Sequence, residues 1–306
     1  MRSDGSSPAD VAWALEGPWT HRQIAANGAR FHVAEVGEGP LVLLLHGFPT
    51  FWWTWRHQLV ALADAGYRAV AMDLRGYGGS DKTPRGYDPM TLTGDVAGVV
   101  QSLGEAEATI VGHGWGGLLA WTSAVFEPKV VRRLAAVSAP HPRRMRAAAL
   151  DRRQVAASSY LLGYQRPWIP ERKLVADDGA AVGELLHAWG AAPAWPDAET
   201  ERIYRRAIQV QPVAHCALEY HRWAFRSLAR PDGLRYARRM RTPIPCPVLH
   251  LHGARDPVVR PGTAAGSGRY VAGPYSWSVV PEVGHFPHEE APEAVTRLLL
   301  RWMQET

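Results

Sequence analysis

The chain has 306 residues, of which 46% are hydrophobic, and a formal net charge of +5 with a pI near 9.4. This length allows one large domain with an ample core and an inserted subdomain. No segment reaches the roughly 18 consecutive apolar residues that a helical membrane span requires, and the sequence contains no internal repeat. These features exclude a membrane-spanning helix and a repeat array.

The positive charge comes almost entirely from arginine, which is densest at 143–153 and 235–241. We interpret both clusters as solvated helix surfaces, because no nucleic-acid-binding motif accompanies them. The two cysteines, Cys216 and Cys246, lack the spacing of a metal site, so we expect reduced thiols in a cytoplasmic protein. Residues 1–15 lack an apolar stretch of signal-peptide length and are expected to be flexible.

The first strong strand prediction is 41–45, a continuous apolar run that is typical of a strand buried on both faces of a parallel sheet. It leads directly into His46-Gly47-Phe48-Pro49. Open α/β sheets place their functional residues on loops at the carboxyl ends of parallel strands. The loop 46–49 is therefore a candidate part of a site.

A further strand is predicted at 107–111 and a helix at 115–126, joined by Gly112-His113-Gly114-Trp115-Gly116. This arrangement is typical of a nucleophile elbow, whose central residue carries the attacking side chain. The central residue here is Gly114, which has no side chain. The strained turn costs a residue with a Cβ about 1–3 kcal/mol, and glycine relaxes it. The turn therefore indicates neither activity nor its loss.

A long stretch without strand-like alternation separates a strand predicted at 132–137 from one that begins at Pro247. Its pattern favours helices interrupted by prolines. The predicted helical segments are 143–160, 179–188, 198–208 and 213–226.

Two candidate catalytic residues follow the last predicted strands. The strand at 247–252 leads into Asp256, and the strand at 276–280 leads into His285, before a helix at 293–302. Both residues lie on loops at strand ends, where the chemistry of such sheets is expected. An acid followed by a histidine is also the chain order of the partners of an elbow nucleophile.

Four motifs match a known pattern when they are taken together. They are the loop 46–49, Trp-Thr-Trp-Arg-His-Gln at 53–58, Asp-Leu-Arg-Gly-Tyr-Gly-Gly-Ser-Asp at 73–81, and the turn 112–116. Jointly they resemble the epoxide hydrolase and haloalkane dehalogenase branch of the α/β-hydrolase fold, in which the last motif reads Gly-His-Asp-Trp-Gly. The resemblance extends from about Trp19 to the C-terminus.

The resemblance implies an α/β fold with a mostly parallel eight-stranded sheet, flanking helices and an inserted helical cap. The expected boundaries are 1–140 for the first part of the core, 141–241 for the cap and 242–306 for the second part of the core.

The resemblance also implies roles for particular residues. In the family, an Asp at the position of Gly114 attacks the epoxide or halide carbon, and a histidine oriented by an acid then activates water. His285 and Asp256 match that pair. The backbone N–H groups of Phe48 and Trp115 match the oxyanion hole.

The cap of the family carries two tyrosines that bind and protonate the epoxide oxygen. Tyr160 resembles the first. His221 stands at the position of the second, but a shift of one residue in the alignment would place Tyr220 there instead. We expect Trp52, Tyr164 and Tyr220 to line an apolar substrate pocket.

Three functions are compatible with Gly114. The protein is either an epoxide-hydrolase-like enzyme in which His285 and Asp256 activate water, or a catalytically inactive small-molecule-binding protein, or a non-hydrolytic acid/base enzyme such as a lyase, cyclase or isomerase.

No cofactor or metal is implied, because the sequence has no phosphate-binding glycine loop and no ligand cluster. We expect an apolar small molecule as the substrate or ligand, with no nucleic-acid or membrane partner. The sequence does not indicate an oligomeric state.

Overall fold

A computed structural model describes residues 14–306, so the first thirteen residues of the segment expected to be flexible lie outside the described residues. The described chain is organised by one eight-stranded sheet in the order β1-β2-β4-β3-β5-β6-β7-β8. Its strands are β1 (Thr20–Ala26), β2 (Ala29–Val36), β3 (Leu41–Leu45), β4 (Arg68–Met72), β5 (Ala108–His113), β6 (Val131–Val137), β7 (Val248–Gly253) and β8 (Tyr275–Val280).

The sheet is mostly parallel. Strands β1, β2 and β4 pair antiparallel, and every pairing from β4 through β3 to β8 is parallel. Every residue of β3 and β5 is buried, because these strands lie in the middle of the sheet and both faces are covered. The predicted fold class is therefore confirmed.

Helices cover the sheet and fill one long connection. They are α1 (Arg56–Asp64), α2 (Pro89–Ser102), α3 (Trp115–Phe126), α4 (Pro142–Ala147), α5 (Arg152–Ala157), α6 (Tyr160–Tyr164), α7 (Ile169–Trp189), α8 (Ala198–Gln209), α9 (Val213–Arg226), α10 (Pro231–Arg239), α11 (Pro261–Ala264), α12 (Pro287–Glu290) and α13 (Pro292–Glu305). Helices α2 and α3 pack against each other, as do α1 and α13.

The helical insertion comprises α4 to α10, residues 142–239, between β6 and β7. Its last long helices agree with the predicted segments, but the single helix predicted at 143–160 is broken. A 3-10 turn at Ala148–Leu150 ends the first part, and Asp151 begins α5 by accepting the N–H of Arg153. A polar capping residue inside the segment thus starts a new helix.

Three further observations concern membrane spans, metal ligands and cysteines. None of the described helices is long and apolar enough to cross a membrane. Within residues 14–306, no three His, Cys, Asp or Glu side chains are grouped so as to hold a metal ion. Cys216 and Cys246 form no disulfide, and the Cys216 thiol lies 3.0 Å from the hydroxyl of Tyr87.

Candidate functional site

The candidate site lies at the carboxyl edge of the sheet, where the loops that follow β3, β5, β7 and β8 converge. These loops carry Phe48, Gly114, Asp256 and His285, respectively. Parallel strands bring their carboxyl ends to one edge, so residues far apart in sequence become neighbours. The topology therefore brings together the residues that the sequence singled out.

Gly114 occupies the tight turn between β5 and α3 with φ of +52° and ψ of −113°. Its N–H donates to the carbonyl of Val137 at 3.1 Å. A Cβ built on Gly114 would lie 3.6 Å from Cα of Gly47 and 3.7 Å from Nε2 of His285, which is ordinary van der Waals contact. A Cβ at this position would therefore fit without a clash, on the side of the turn that faces the His285 ring.

The turn is held close to the loop after β3 by Gly116. Its N–H donates to the carbonyl of His46 at 3.0 Å. A Cβ at Gly116 would lie 2.2 Å from the carbonyl oxygen of Leu45, so only glycine allows the two backbones to approach this closely. This contact fixes the loop that carries Phe48 next to Gly114.

His285 and Asp256 form a buried pair. Nδ1 of His285 lies 2.8 Å from Oδ2 of Asp256, and the other carboxylate oxygen accepts the N–H groups of Val258 and Val259 at 2.8 and 2.9 Å. These bonds fix the carboxylate, so it holds the proton of the imidazole on Nδ1. Nε2 lies on the side of Gly114 and makes no hydrogen bond to another residue within 14–306.

The backbone of His285 is also anchored. Its N–H donates to the carbonyl of Trp189 at 2.8 Å, and its carbonyl lies 2.8 Å from Nε2 of His113. Burial lowers the pKa of His113 well below the usual value, so the ring is neutral and donates from Nε2. His113 thus supports the loop that carries His285.

Two backbone N–H groups on the loops around Gly114 have no hydrogen-bond partner in the described part of the protein. Among the described residues, the N–H groups of Phe48 and Trp115 donate to no protein acceptor. Trp115 is the first residue of α3, where amide groups have no partner inside the helix. The two groups are thus available to a developing negative charge.

Aromatic side chains of the helical insertion cover the site. Tyr160 packs against Tyr164 and Trp189, each with ring centroids 5.4 Å away. Trp189 in turn packs on His285 at 5.7 Å. Burial raises the pKa of both tyrosines, so each hydroxyl keeps its proton at neutral pH.

His221 is in contact with these aromatic residues, but both of its ring nitrogens are engaged. Nε2 accepts the indole N–H of Trp115 at 3.0 Å, and Nδ1 lies 3.0 Å from the carbonyl of Ala217. Burial lowers the pKa of His221 to about 4, so the ring is neutral and donates from Nδ1 to the helix backbone. This bonding leaves His221 no proton to give to a ligand.

Two residues expected to line the pocket lie elsewhere. Tyr220 is fully buried, and its hydroxyl donates to the carbonyl of Arg75 at 2.7 Å. Trp52 is also fully buried, with its ring beside those of Trp19 and His32. The structure therefore brings His221, and not its neighbour Tyr220, beside Tyr164, with ring centroids 5.2 Å apart.

Sequence reasoning missed Glu290, which ties the His285 loop to the end of α7. One carboxylate oxygen accepts the N–H groups of Ala191, Ala192 and Gly284 at 2.8 to 2.9 Å. The other accepts the N–H of Phe286 at 3.0 Å. A single sequence does not reveal which of several acidic residues folds back in this way.

We predict that Glu290→Gln lowers the free energy of unfolding by about 2–3 kcal/mol, since the charge is lost and the NH2 group of Gln replaces one oxygen, so the N–H donors on that side lose their acceptor. Denaturant unfolding measures this change. Glu293→Gln is the matched control, because Glu293 is exposed on the neighbouring helix, and a surface change costs within about 0.5 kcal/mol. Equal effects of the two changes would contradict the anchoring role.

A family model described as the alpha/beta hydrolase fold matches residues 40–292. The chain is 32% identical to AB hydrolase superfamily protein YfhM of Bacillus subtilis, covering 92% of this chain and 96% of that protein. It is 30% identical to Epoxide hydrolase A of Mycobacterium tuberculosis, covering 93% and 97%.

Solved structures of epoxide hydrolases have a similar fold. The structure is similar to that of epoxide hydrolase VrEH1 from Vigna radiata, with a TM-score of 0.82 at 26% identity over 94% of this chain and 98% of that chain. An epoxide hydrolase from an endophytic Streptomyces gives a TM-score of 0.80 at 29% identity, covering 94% and 96%.

Proposed function

Because this chain belongs to the α/β hydrolase fold family and is epoxide-hydrolase-like within it, we propose that it hydrolyses an apolar epoxide by direct attack of water. No covalent intermediate forms, since Gly114 offers no attacking atom. His285 is the general base and Asp256 orients it. The helical insertion acts as the cap over the substrate.

The observation that carries this proposal is the His285–Asp256 pair beside an elbow whose central residue has no side chain. Nε2 of His285 lies 3.7 Å from the position of a Cβ on Gly114, and the nearest other atom, Cα of Gly47, is 3.6 Å away. In the proposal, a water molecule takes the place of the missing side chain, within reach of Nε2. A general base needs such a position relative to the proton that it removes.

In the proposed reaction, Nε2 of His285 takes a proton from water while the water oxygen forms a bond to an epoxide carbon. The bond between that carbon and the ring oxygen breaks, and the ring oxygen takes a proton from the Tyr160 hydroxyl. Transfer of the imidazolium proton back to the tyrosinate through solvent completes the cycle, so water and epoxide give a diol.

Developing charge on the oxygen is stabilised by donors that are already in place. Tyr160 supplies one donor, and the N–H groups of Phe48 and Trp115 are further candidates. A general base contributes roughly 10²–10⁴ to a rate, and one oxyanion donor roughly 10²–10³. These contributions support turnover without a nucleophile, at a rate below that of a covalent mechanism.

The second family tyrosine has no counterpart in this proposal. His221 accepts from Trp115 and is neutral, so it positions the indole rather than protonating the substrate. Tyr160 is then the single side-chain acid. This supports a preference for epoxides whose benzylic or allylic carbon eases ring opening, because such carbons need less help from a second proton donor.

The test is turnover of aryl and alkyl epoxides by the unaltered protein, with diol measured by chromatography. We expect His285→Ala to lower the rate by about 10²–10⁴. His187→Ala is the matched control, because His187 lies on the exposed side of α7 and pairs with Glu201. Its rate should be unchanged.

Two outcomes would contradict the proposal. Equal activity of the unaltered protein and His285→Ala would indicate a contaminating hydrolase. Absence of turnover across the panel would favour a ligand-binding protein or a non-hydrolytic acid/base enzyme on the same fold, and ligands that co-purify with the protein would then be identified by mass spectrometry.

A further inference from the structure

The outer surface of the helical insertion combines exposed apolar side chains with arginine. We define the basic apolar segment as residues 143–173, which contain eight Arg and Lys against two Asp and Glu. Nine large hydrophobic side chains are exposed among the described residues, and five of them belong to this segment. They are Leu150 at 93%, Val155 at 49%, Leu162 at 60%, Trp168 at 69% and Ile169 at 59% exposure.

The cations of this segment are not neutralised by neighbours. Six of them are exposed, and none of the six forms a salt bridge with an acidic residue within 14–306. They are Arg146, Arg152, Arg153, Arg166, Arg172 and Lys173. The sequence led us to interpret the arginine cluster as a solvated helix surface, but a solvated surface does not require large apolar side chains between the charges.

Hydrogen bonds and ring stacking fix part of this segment to helix α9. Arg222 of α9 donates to the carbonyls of Tyr164 and Arg166, both at 3.0 Å. The Trp168 ring stacks on His215 of the same helix at 6.5 Å. The rings of Tyr160 and Tyr164 pack on the site while Leu162, between them, is exposed. One face of α6 thus belongs to the site and the other to solvent.

We infer that the basic apolar segment docks the protein on an anionic membrane surface. Apolar side chains that enter the interface and basic residues that meet anionic headgroups are the two components of such binding. The positive charge of the protein is concentrated in this part of the chain. Residues 141–241 carry eighteen Arg and Lys against ten Asp and Glu, whereas the rest of the chain has a net formal charge of −3. A second copy of the chain would present the same positive charge and be repelled.

Docking would place the outer wall of the candidate site against the lipid. Apolar molecules partition into lipid, so the site would draw its substrate from the membrane surface rather than from water. That consequence rests on the proposed function, whereas the docking itself does not. It also revises the expectation of no membrane partner, which considered only a membrane span.

Co-sedimentation with sucrose-loaded vesicles tests the docking without using activity. The unaltered full chain is expected to bind vesicles of phosphatidylcholine mixed with phosphatidylglycerol, and to bind pure phosphatidylcholine vesicles at least tenfold more weakly, in a salt-dependent manner. The double change Trp168→Ser and Ile169→Ser should weaken binding by about tenfold or more. Arg152→Gln and Arg153→Gln should each weaken it by about fivefold.

Val279→Ser is the matched control, because Val279 is an exposed apolar residue, 42% accessible, on β8 outside the helical insertion. Its binding should match that of the unaltered chain. Hydrogen exchange of the unaltered protein provides a second readout that needs no variant, with protection by anionic vesicles expected at 150–169.

Equal binding to neutral and anionic vesicles, or equal binding of all variants, would overturn the inference. A dimer detected by light scattering and lost in the Trp168 and Ile169 variant would also overturn it and assign this surface to a second copy. Loss of turnover with intact vesicle binding would count against the proposed function alone.

Discussion

Gly114→Asp is expected to raise epoxide turnover by several orders of magnitude, because removing the nucleophile from a working triad costs on the order of 10⁶ in rate. The Cβ of the new side chain would make only ordinary contacts and would lie 3.7 Å from Nε2 of His285, although φ of +52° strains any residue with a Cβ. Its carboxylate would attack an epoxide carbon, and Tyr160 would protonate the oxygen that leaves. His285 would then activate the water that hydrolyses the ester.

Intact-protein mass spectrometry detects this chemistry directly. In the double variant Gly114→Asp with His285→Ala, the ester cannot be hydrolysed efficiently, so the protein should gain the mass of one substrate molecule. Gly114→Asn is the matched control, because it has the same shape and the same strain at φ of +52° but no nucleophile. An Asp variant no faster than the Asn variant, without an adduct, would show that the surrounding site does not support covalent chemistry.

Asp256→Asn is expected to lower the activity of the unaltered protein by about 10²–10⁴, as the loss of an orienting acid does in catalytic triads. The Asn side chain can keep its oxygen on the N–H groups of Val258 and Val259. Its amide group would then donate to Nδ1 of His285, so the ring proton would move to Nε2. The general base would be blocked while the fold is preserved.

Diol formation at saturating epoxide measures this effect, and the thermal midpoint of unfolding shows whether the fold is intact. Asp64→Asn, at the exposed end of α1, is the matched control and should retain full activity. A rate for Asp256→Asn that equals that of the unaltered protein would remove Asp256 from the mechanism.

Much of the sheet could be predicted because its signals are local. The five apolar residues 41–45 gave the exact bounds of β3, and the helix 115–126 is α3. The pairing of Asp256 with His285 was also predictable, since both follow parallel strands whose carboxyl ends share one edge. Pattern and topology together were sufficient for these features.

The helical insertion was harder to predict, because orientation on a helix depends on packing. Adjacent residues on an α-helix point about 100° apart, so an alignment uncertain by one residue exchanges Tyr220 and His221 between core and site. The bond from Trp115 to His221 settles that orientation, and it joins residues 106 positions apart. No local pattern in one sequence specifies a contact of this kind.

The Glu290 carboxylate has a mechanical consequence. It binds the chain just after α7 through Ala191 and Ala192, and it binds the His285 loop through Gly284 and Phe286. Lifting this end of the helical insertion would therefore displace His285, the proposed base. A movement of the helical insertion that leaves His285 in place must therefore keep the contacts of Ala191 and Ala192 with Glu290.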